Sequence, residues 1–359
     1  MEGHQSASSF ASDPCVGGIL HIHPTLQCNL TCLHCYSESS PRHREALAAD
    51  DIIPLMESIR QYGYTVLSVS GGEPFLYKEL SSVLMQAKLL GMQTQLVTNG
   101  ILAESKIATE SLPWLDLVAV SIDGDEKMHD EIRHMKGAYH KVIKGAETVV
   151  AAGKRLAVVS AIANGSWRKM TEVAEVAHDL GASFVQFHPL ELSGRAIREI
   201  PNGLDLEDLH RAYIVFNYLQ EKYAGIMHIQ MDCLHRFVIE TNPEICGYID
   251  DAFIPTKTNF VRISRSVILD EKGNIMPFSY GLHPRYHIGN VKKKKSSEIS
   301  AMLDDYFENR ASTFSHLVSS SYKKYKTTTD DDNDLIVWSE YIVEQSRSSS
   351  IGNEVAVAV

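Results

Sequence analysis

Between residues 19 and 189 this chain alternates six short apolar runs with amphipathic stretches, a pattern few folds accommodate. The runs are 19–26 (ILHIHPTL), 65–70 (TVLSVS), 93–98 (QTQLVT), 117–122 (LVAVSI), 156–162 (LAVVSAI) and 184–189 (FVQFHP). They are rich in Val, Ile and Leu, as strands buried in parallel sheets are. Helical periodicity runs through 50–63, 77–91, 103–111, 138–153 and 168–181, and Gly63, Gly91, Gly153 and Gly181 supply helix-stop signals. The alternation predicts an α/β barrel, either six-stranded and open or part of an eight-stranded one. Active sites of such barrels gather at the carboxyl ends of the strands. Cys28, Gly71–Pro74, Asn99, Asp123, Asn164 and His188 all fall at those ends, so one shared site is expected.

Three of the six cysteines, Cys28, Cys32 and Cys35, form a Cys-x-x-x-Cys-x-x-Cys run after the first strand. Thiolates this close can converge on an iron–sulfur cube. A 4Fe–4S cluster has four irons, so three cysteines leave one iron without a protein ligand and open to a cofactor or substrate. A structural zinc site is the alternative, but it needs four ligands. His34 lies between Cys32 and Cys35, where its side chain tends to point away from them. No secretory signal precedes the run, which disfavours a disulfide.

The neighbouring segments add SGGEP at 70–74, VTNG at 97–100, SIDG at 121–124 and HPLELSGRA at 188–196. With CNLTCLHC at 28–35, in this order and spacing, the chain resembles the radical S-adenosylmethionine (SAM) superfamily over roughly residues 19–200. The resemblance implies a partial (β/α)6 TIM-type barrel, a 4Fe–4S cluster on Cys28, Cys32 and Cys35, and SAM chelated to the open iron. One-electron cleavage of SAM then yields a 5′-deoxyadenosyl radical. The cofactor supplies that chemistry, and the protein supplies orientation and exclusion of water. Gly71 and Gly72 are expected to let the backbone approach the methionyl amino group, with Glu73 in the polar lining of the pocket and Pro74 fixing the turn. Tyr36 is expected against the adenine. Asn99 and Ser121, polar at the ends of buried strands, are expected SAM contacts. Ser160 and Asn164 are expected ribose partners, and Arg195 a partner for a SAM or substrate carboxylate. Arg133 reads as a helix-surface ion pair.

Beyond Pro201 the alternation stops. Residues 201–310 read as a small α+β C-terminal module: helix 204–224, strand 226–231, a helix around 233–241, a hairpin of 260–269 and 275–278, and a helix around 296–309. The segment ILDEKGNIMPFSYGLHPRYHIGNV at 268–291 resembles the SPASM or twitch auxiliary-cluster module. Such modules carry a cysteine after the hairpin proline; here that residue is Phe278, and no cysteine lies beyond Cys246. Cys15, Cys233 and Cys246 are too few for a second four-thiolate set, so the module is expected to lack complete cluster ligands. Cys233 is a candidate hydrogen-atom donor to a substrate radical; a small buried hydrophobe is the alternative. Residues 1–18 read as a flexible arm and 311–359 as a polar, partly disordered tail.

A hydrophobic content of 44% supports one large core with an appendage. No apolar run approaches the ~20 residues of a membrane helix. The net charge of −11 argues against nucleic acid or a membrane as partner, and a cytoplasmic location is expected. The reading is a radical SAM enzyme modifying a ribosomally made peptide, or alternatively a small-molecule sugar, nucleoside or natural-product intermediate. A reductant such as flavodoxin or ferredoxin is expected. The 18 residues before the first strand are too few for a fused leader-binding domain, so either a separate leader-peptide-binding protein or unaided binding of the peptide is expected. Anaerobically reconstituted protein is expected to hold about four irons and four sulfides per chain; about eight irons in a metal assay contradict the single-cluster reading.

Overall fold

The structure, a computed structural model, describes residues 17–328 and 334–354. From the amino terminus, β1 (Gly18–Ile22) leads through the cysteine loop to α1 (Ala49–Ile59). Then β2 (Tyr64–Val69) precedes α2 (Leu80–Leu89), β3 (Gln93–Thr98) precedes α3 (Lys106–Ser111), and β4 (Leu117–Ser121) precedes α4 (Glu126–Ile132) and α5 (Ala138–Ala151). Next come β5 (Arg155–Ile162), α6 (Met170–Asp179), β6 (Phe184–Pro189), the short α7 (Ala196–Glu199) and α8 (Leu206–Lys222). The remainder runs β7 (His228–Met231), β8 (Leu234–His235), α9 (Arg236–Thr241), β9 (Ser266–Leu269), β10 (Asn274–Pro277), β11 (Gly289–Asn290) and α10 (Ser296–Asp305). It ends with α11 (Ala311–Thr327), β12 (Leu335–Ile336) and α12 (Trp338–Glu354).

Ten strands form one open sheet in the order β11-β10-β9-β1-β2-β3-β4-β5-β6-β7, and β8 pairs with β12. Every neighbouring pair from β9 to β7 is parallel; β10 and β11 run antiparallel. The sheet is the expected open barrel of α/β class. The strand expected at 226–231 and the first strand of the expected hairpin extend it on both flanks, as β7 and β9. Ile19 to Ile22 pair in register with Ser266 to Leu269, so the C-terminal module is joined to the barrel by a parallel ladder.

Strand alternation sorts the two faces of the sheet. Leu20, Ile22, Leu67, Leu96, Val118, Val158, Val185 and Phe187 are buried and face helices that contribute Ile52, Met56, Leu84, Val142 and Val173. Each such side chain contributes roughly 1.5–3 kcal/mol by leaving water. The opposite face lines the lumen and carries the partly exposed His21, Gln95, Ser121, Val159, Gln186, His188 and Gln230.

The expectation of a polar tail is corrected. Residues 311–327 and 338–354 are helical; 1–16, 329–333 and 355–359 lie outside the described residues. In α11, Phe314, Leu317, Val318, Tyr322 and Tyr325 are buried. Their spacing is a helical stripe, masked in the sequence by the polar residues of the outer face. Trp338 Nε1 donates to the Cys246 carbonyl at 2.9 Å, tying α12 to the module. Phe278 packs toward Phe314 at 6.1 Å between ring centroids, and Phe260 and Tyr286 approach the same ring.

Helix α12 also brings Glu340 toward Glu191 and His188, beside the carboxyl end of β6. Burial, then the Glu191 carboxylate, pushes the Glu340 carboxyl up to about 7. A raised folded value means that the stabilising contribution is full at low pH and is lost as pH rises through about 7. Glu340→Gln is therefore expected to raise Tm over the unmodified protein by a margin that grows between pH 4.5 and about 7, then levels off. A margin independent of pH in paired thermal melts contradicts this placement.

Candidate active site

The cysteine loop is pinned from several sides. Across one side runs the turn after β2. Ser70 N donates to Ile22 O at 2.9 Å, Gly72 N to Thr25 O at 2.8 Å and Glu73 N to Gln27 O at 2.8 Å. The approach is so close that a Cβ on Gly71 would stand 2.6 Å from Thr25 O, and one on Gly72 2.2 Å from Gln27 O. On another side lies the turn after β6. Gly194, at φ +53°, leaves no room for a Cβ beside Tyr36 O, which would be 2.2 Å away. Arg195 N donates to Cys35 O at 2.9 Å. The Arg195 guanidinium donates to Cys32 O at 2.6 Å and Ser39 O at 2.8 Å. Its expected carboxylate partner is replaced by two backbone carbonyls of the loop.

Glu73 is fully buried and does not line a pocket. One carboxylate oxygen accepts from Phe75 N at 3.0 Å and Thr98 Oγ1 at 2.7 Å, the other from Asn99 N at 3.0 Å. It fastens the β2 turn to the end of β3, and Pro74 opens a buried helical turn beside it. Asn99 Nδ2 donates to Asn29 Oδ1 at 2.8 Å and reaches Cys28 Sγ at 3.9 Å; Asn99 Oδ1 accepts from Ile101 N at 3.0 Å. Burial, then the Glu73 charge, pushes the Cys28 thiol up to about 12. Cys32 is also raised by burial, against the pull of the Arg133 guanidinium.

Arg133 is not on the helix surface. It is buried, with Nε 2.7 Å and Nη2 2.6 Å from Asp123 Oδ2, and its charge lies near Cys32. Asp123 Oδ1 accepts from Ala161 N at 2.9 Å, and Asp123 N donates to His129 Nδ1 at 3.1 Å. Burial opposes ionisation of Asp123, but Arg133, with His34 and His129 nearby, outweighs it and holds the carboxyl down at about 2. His34 turns toward this carboxylate at 3.8 Å, away from the thiols.

Three further expectations fail, two of them on strand alternation. Ser160 shares its face with Leu156, Val158 and Ile162, toward the helices, and is 3% exposed; its neighbours Val159 and Ala161 face the lumen. Asn164 is exposed, and its Oδ1 accepts from Asp205 N at 2.8 Å, fixing the approach to α8. Cys233 follows lumen-facing Asp232 by one residue and so turns into the apolar core, 5% exposed, with burial pushing its thiol up to about 12. It faces away from any substrate in the lumen. Ser121 stays on the lumen face, paired with Val159. Tyr36 stands at the barrel mouth, 5.5 Å from the Tyr280 ring, which stacks on His23 at 5.0 Å.

Sequence reasoning placed His188 at the shared site but missed the polar row around it at the ends of β6 and β7. His188 meets Asp232 Oδ2 through Nδ1 at 2.8 Å and Glu191 Oε1 through Nε2 at 3.3 Å. Gln186 and Gln230 donate to the two Asp232 oxygens at 2.6 and 2.9 Å. Burial opposes the charge on His188, but these carboxylates hold its pKa well above the usual histidine range. The signal was there: Gln186 and His188 alternate with apolar residues in FVQFH, as His228, Gln230 and Asp232 do in HIQMD.

The seam between loop and turn makes a prediction. A valine at Gly72 collides with the Gln27 carbonyl rather than with a ligand, so it displaces the loop itself. Gly72→Val is expected to lose cluster assembly together with SAM binding, read as iron per chain after anaerobic reconstitution. A variant that holds full iron and fails only to bind SAM contradicts the seam.

Residues 22–185 match the family model of the radical SAM superfamily. The Fe-coproporphyrin III synthase of Methanosarcina barkeri (strain Fusaro / DSM 804) is 25% identical over 293 residues, 78% of this chain and 73% of that protein. The sporulation killing factor maturation protein SkfB of Bacillus subtilis (strain 168) is 26% identical over 58% of this chain, which spans 52% of SkfB. Among solved structures, native anSMEcpe with bound AdoMet and Cp18Cys peptide has a TM-score of 0.59 at 16% identity, over 95% of this chain and 98% of that one; this likeness is one of fold. No helix among the described residues is long and apolar enough to cross a membrane. The radical SAM family implies SAM and a 4Fe–4S cluster. Residues 22–185, a little under half of the chain, are a radical SAM domain, and the chain is an enzyme.

Proposed function

We propose that Cys28, Cys32 and Cys35 hold a single 4Fe–4S cluster and that the enzyme modifies a ribosomally made peptide. The observation that carries the cluster assignment is the loop: three free thiols on one short segment, pinned by the ends of β2, β3 and β6. Among the described residues, no three His, Cys, Asp or Glu side chains are grouped to hold one metal ion. A cube is larger than an ion, and thiols that ligate its separate corners stand further apart. When bound, the cluster and SAM supply a one-electron cleavage that generates a 5′-deoxyadenosyl radical. The chain's own part is to fix the loop, through Gly72, Glu73 and Arg195, and to line the lumen. Of the expected SAM contacts, Ser121 and Tyr36 are the side chains left at the lumen and its mouth. With Cys233 and Cys246 both in the core, no thiol outside the loop faces the lumen among the described residues.

The peptide reading is supported by the match to SkfB and by the charge of the lumen. Asp232, Glu191 and Glu340 stand around His188, while Arg133 and Arg195 are committed to Asp123 and to backbone carbonyls. A polycarboxylate or polyphosphate substrate meets like charge there, whereas a neutral or basic peptide does not. The small-molecule reading is supported by the longer match to the Fe-coproporphyrin III synthase and by matches to AdoMet-dependent heme synthases and probable GTP 3′,8-cyclases. A single cluster is supported by the aromatic packing at Phe278 and by the commitment of His287 Nε2 to Leu282 O at 3.0 Å. A flavodoxin- or ferredoxin-type reductant and a separate leader-binding protein complete the proposal.

Co-expression with any short open reading frames found beside its gene, with small-molecule extracts run in parallel, tests this. One encoded peptide is expected to change mass, with 5′-deoxyadenosine formed, and the change is expected to vanish when Cys28, Cys32 and Cys35 are all replaced by Ala. Deoxyadenosine from the triple variant contradicts the ligand assignment. No modified peptide, but a changed metabolite, contradicts the peptide assignment.

A further inference from the structure

Immediately after the third cysteine the chain reads Tyr36-Ser37-Glu38-Ser39. Glu38 adopts φ +55°, a left-handed turn that brings its two serine neighbours to the same side. Ser37 Oγ lies 2.8 Å from Ser39 Oγ and 3.5 Å from Cys35 Sγ. The two serines are 7% and 3% exposed. The loop positions both, because Arg195 holds Cys35 O and Ser39 O at its two ends.

In free hydroxyl and thiol groups either atom of each contact could donate. A cysteine bound to iron has no proton, so its sulfur can only accept. Ser37 must then donate to Cys35 Sγ. Its one proton is committed there, so the second contact runs from Ser39 to Ser37. We propose that Ser39 and Ser37 form a directed hydroxyl relay onto Cys35 that raises the reduction potential of the cluster. This rests on Cys28, Cys32 and Cys35 being its ligands.

The physical reason is charge. Reduction places added electron density on the cluster and its sulfurs, so a donor to sulfur stabilises the reduced state more than the oxidised one. Ser39 polarises the Ser37 hydroxyl and strengthens that bond. Burial keeps water from replacing either group. The three ligand sulfurs are thus served differently. Cys28 receives Leu30 N–H at 3.5 Å and the more distant Asn99 amide, Cys32 lies in the field of the Arg133 guanidinium, and Cys35 receives a hydroxyl. The relay is a positioning and tuning device; neither serine is assigned contact with substrate.

The test is a redox titration of the reconstituted full chain, followed by the electron paramagnetic resonance of the reduced cluster, with iron content measured on each sample. At the midpoint of the unmodified protein, Ser37→Ala is expected to lower the ratio of reduced to oxidised cluster about three- to tenfold, tenfold being about 59 mV for one electron. Ser39→Ala is expected to lower it in the same direction by less, because Ser37 still donates but without its own donor. Ser37→Thr, which keeps the hydroxyl, is expected to restore the ratio. If Ser37→Ala fails to assemble a cluster, Ser39→Ala decides: a lowered ratio supports the relay, and an unchanged ratio overturns it. Intact clusters with unchanged ratios in both alanine variants overturn the relay alone. An unmodified protein that takes up no iron overturns the ligand assignment, and the relay with it.

Discussion

The site depends on a seam of backbone against backbone. The turn after β2 lies on the cysteine loop with Gly72 N on Thr25 O and Glu73 N on Gln27 O, at a separation that excludes a Cβ on either glycine of the turn. Backbone hydrogen bonds are short and directional, so they fix the loop's position as well as its presence. Glu73 then transfers that position to β3, and through Asn99 to Cys28. Arg195 does the equivalent work from β6, reaching Cys32 and Ser39 carbonyls on the far side of the loop. A metal cluster held by three thiols needs those thiols held first, and here strand ends separated by over a hundred residues do so together.

The residues of the motifs were legible because each departs from what a buried strand end would otherwise carry. Paired glycines, a buried carboxylate and a buried amide stood out against Val and Leu. Their roles were less legible. Glu73 and Arg195 looked like ligand contacts, yet both act on the protein's own backbone. The sequence shows that a charge is present and not which partner it finds. Ser160 and Cys233 failed for a simpler reason. Strand side chains alternate with a period of two, so an error of one residue in assigning the faces exchanges lumen for core. The polar rows Gln186–His188 and Gln230–Asp232 carried the correct phase.

The C-terminal half teaches a related lesson. Its composition suggested a polar tail, but the stripe from Phe314 to Tyr325 was helical all along, and it closes over Phe278 and Phe260. At the position after the hairpin proline this chain has Phe278, partly buried against Phe314. The same packing of the C-terminal helices brings α12 with Glu340 toward Glu191 and His188 at the end of β6. The lumen is thus shaped from both ends of the chain, with its cations committed and its carboxylates left facing inward.

The account's central claim is that the three-thiolate loop leaves one iron of a single cluster open to SAM. Electron–nuclear double resonance on the reduced protein, with SAM isotopically labelled at its amino nitrogen and carboxylate oxygens, tests it most directly. The account predicts hyperfine coupling from both labels to the cluster, lost when Cys28, Cys32 and Cys35 are replaced. SAM that binds without coupling, beside a cluster whose spectrum it leaves unchanged, contradicts it.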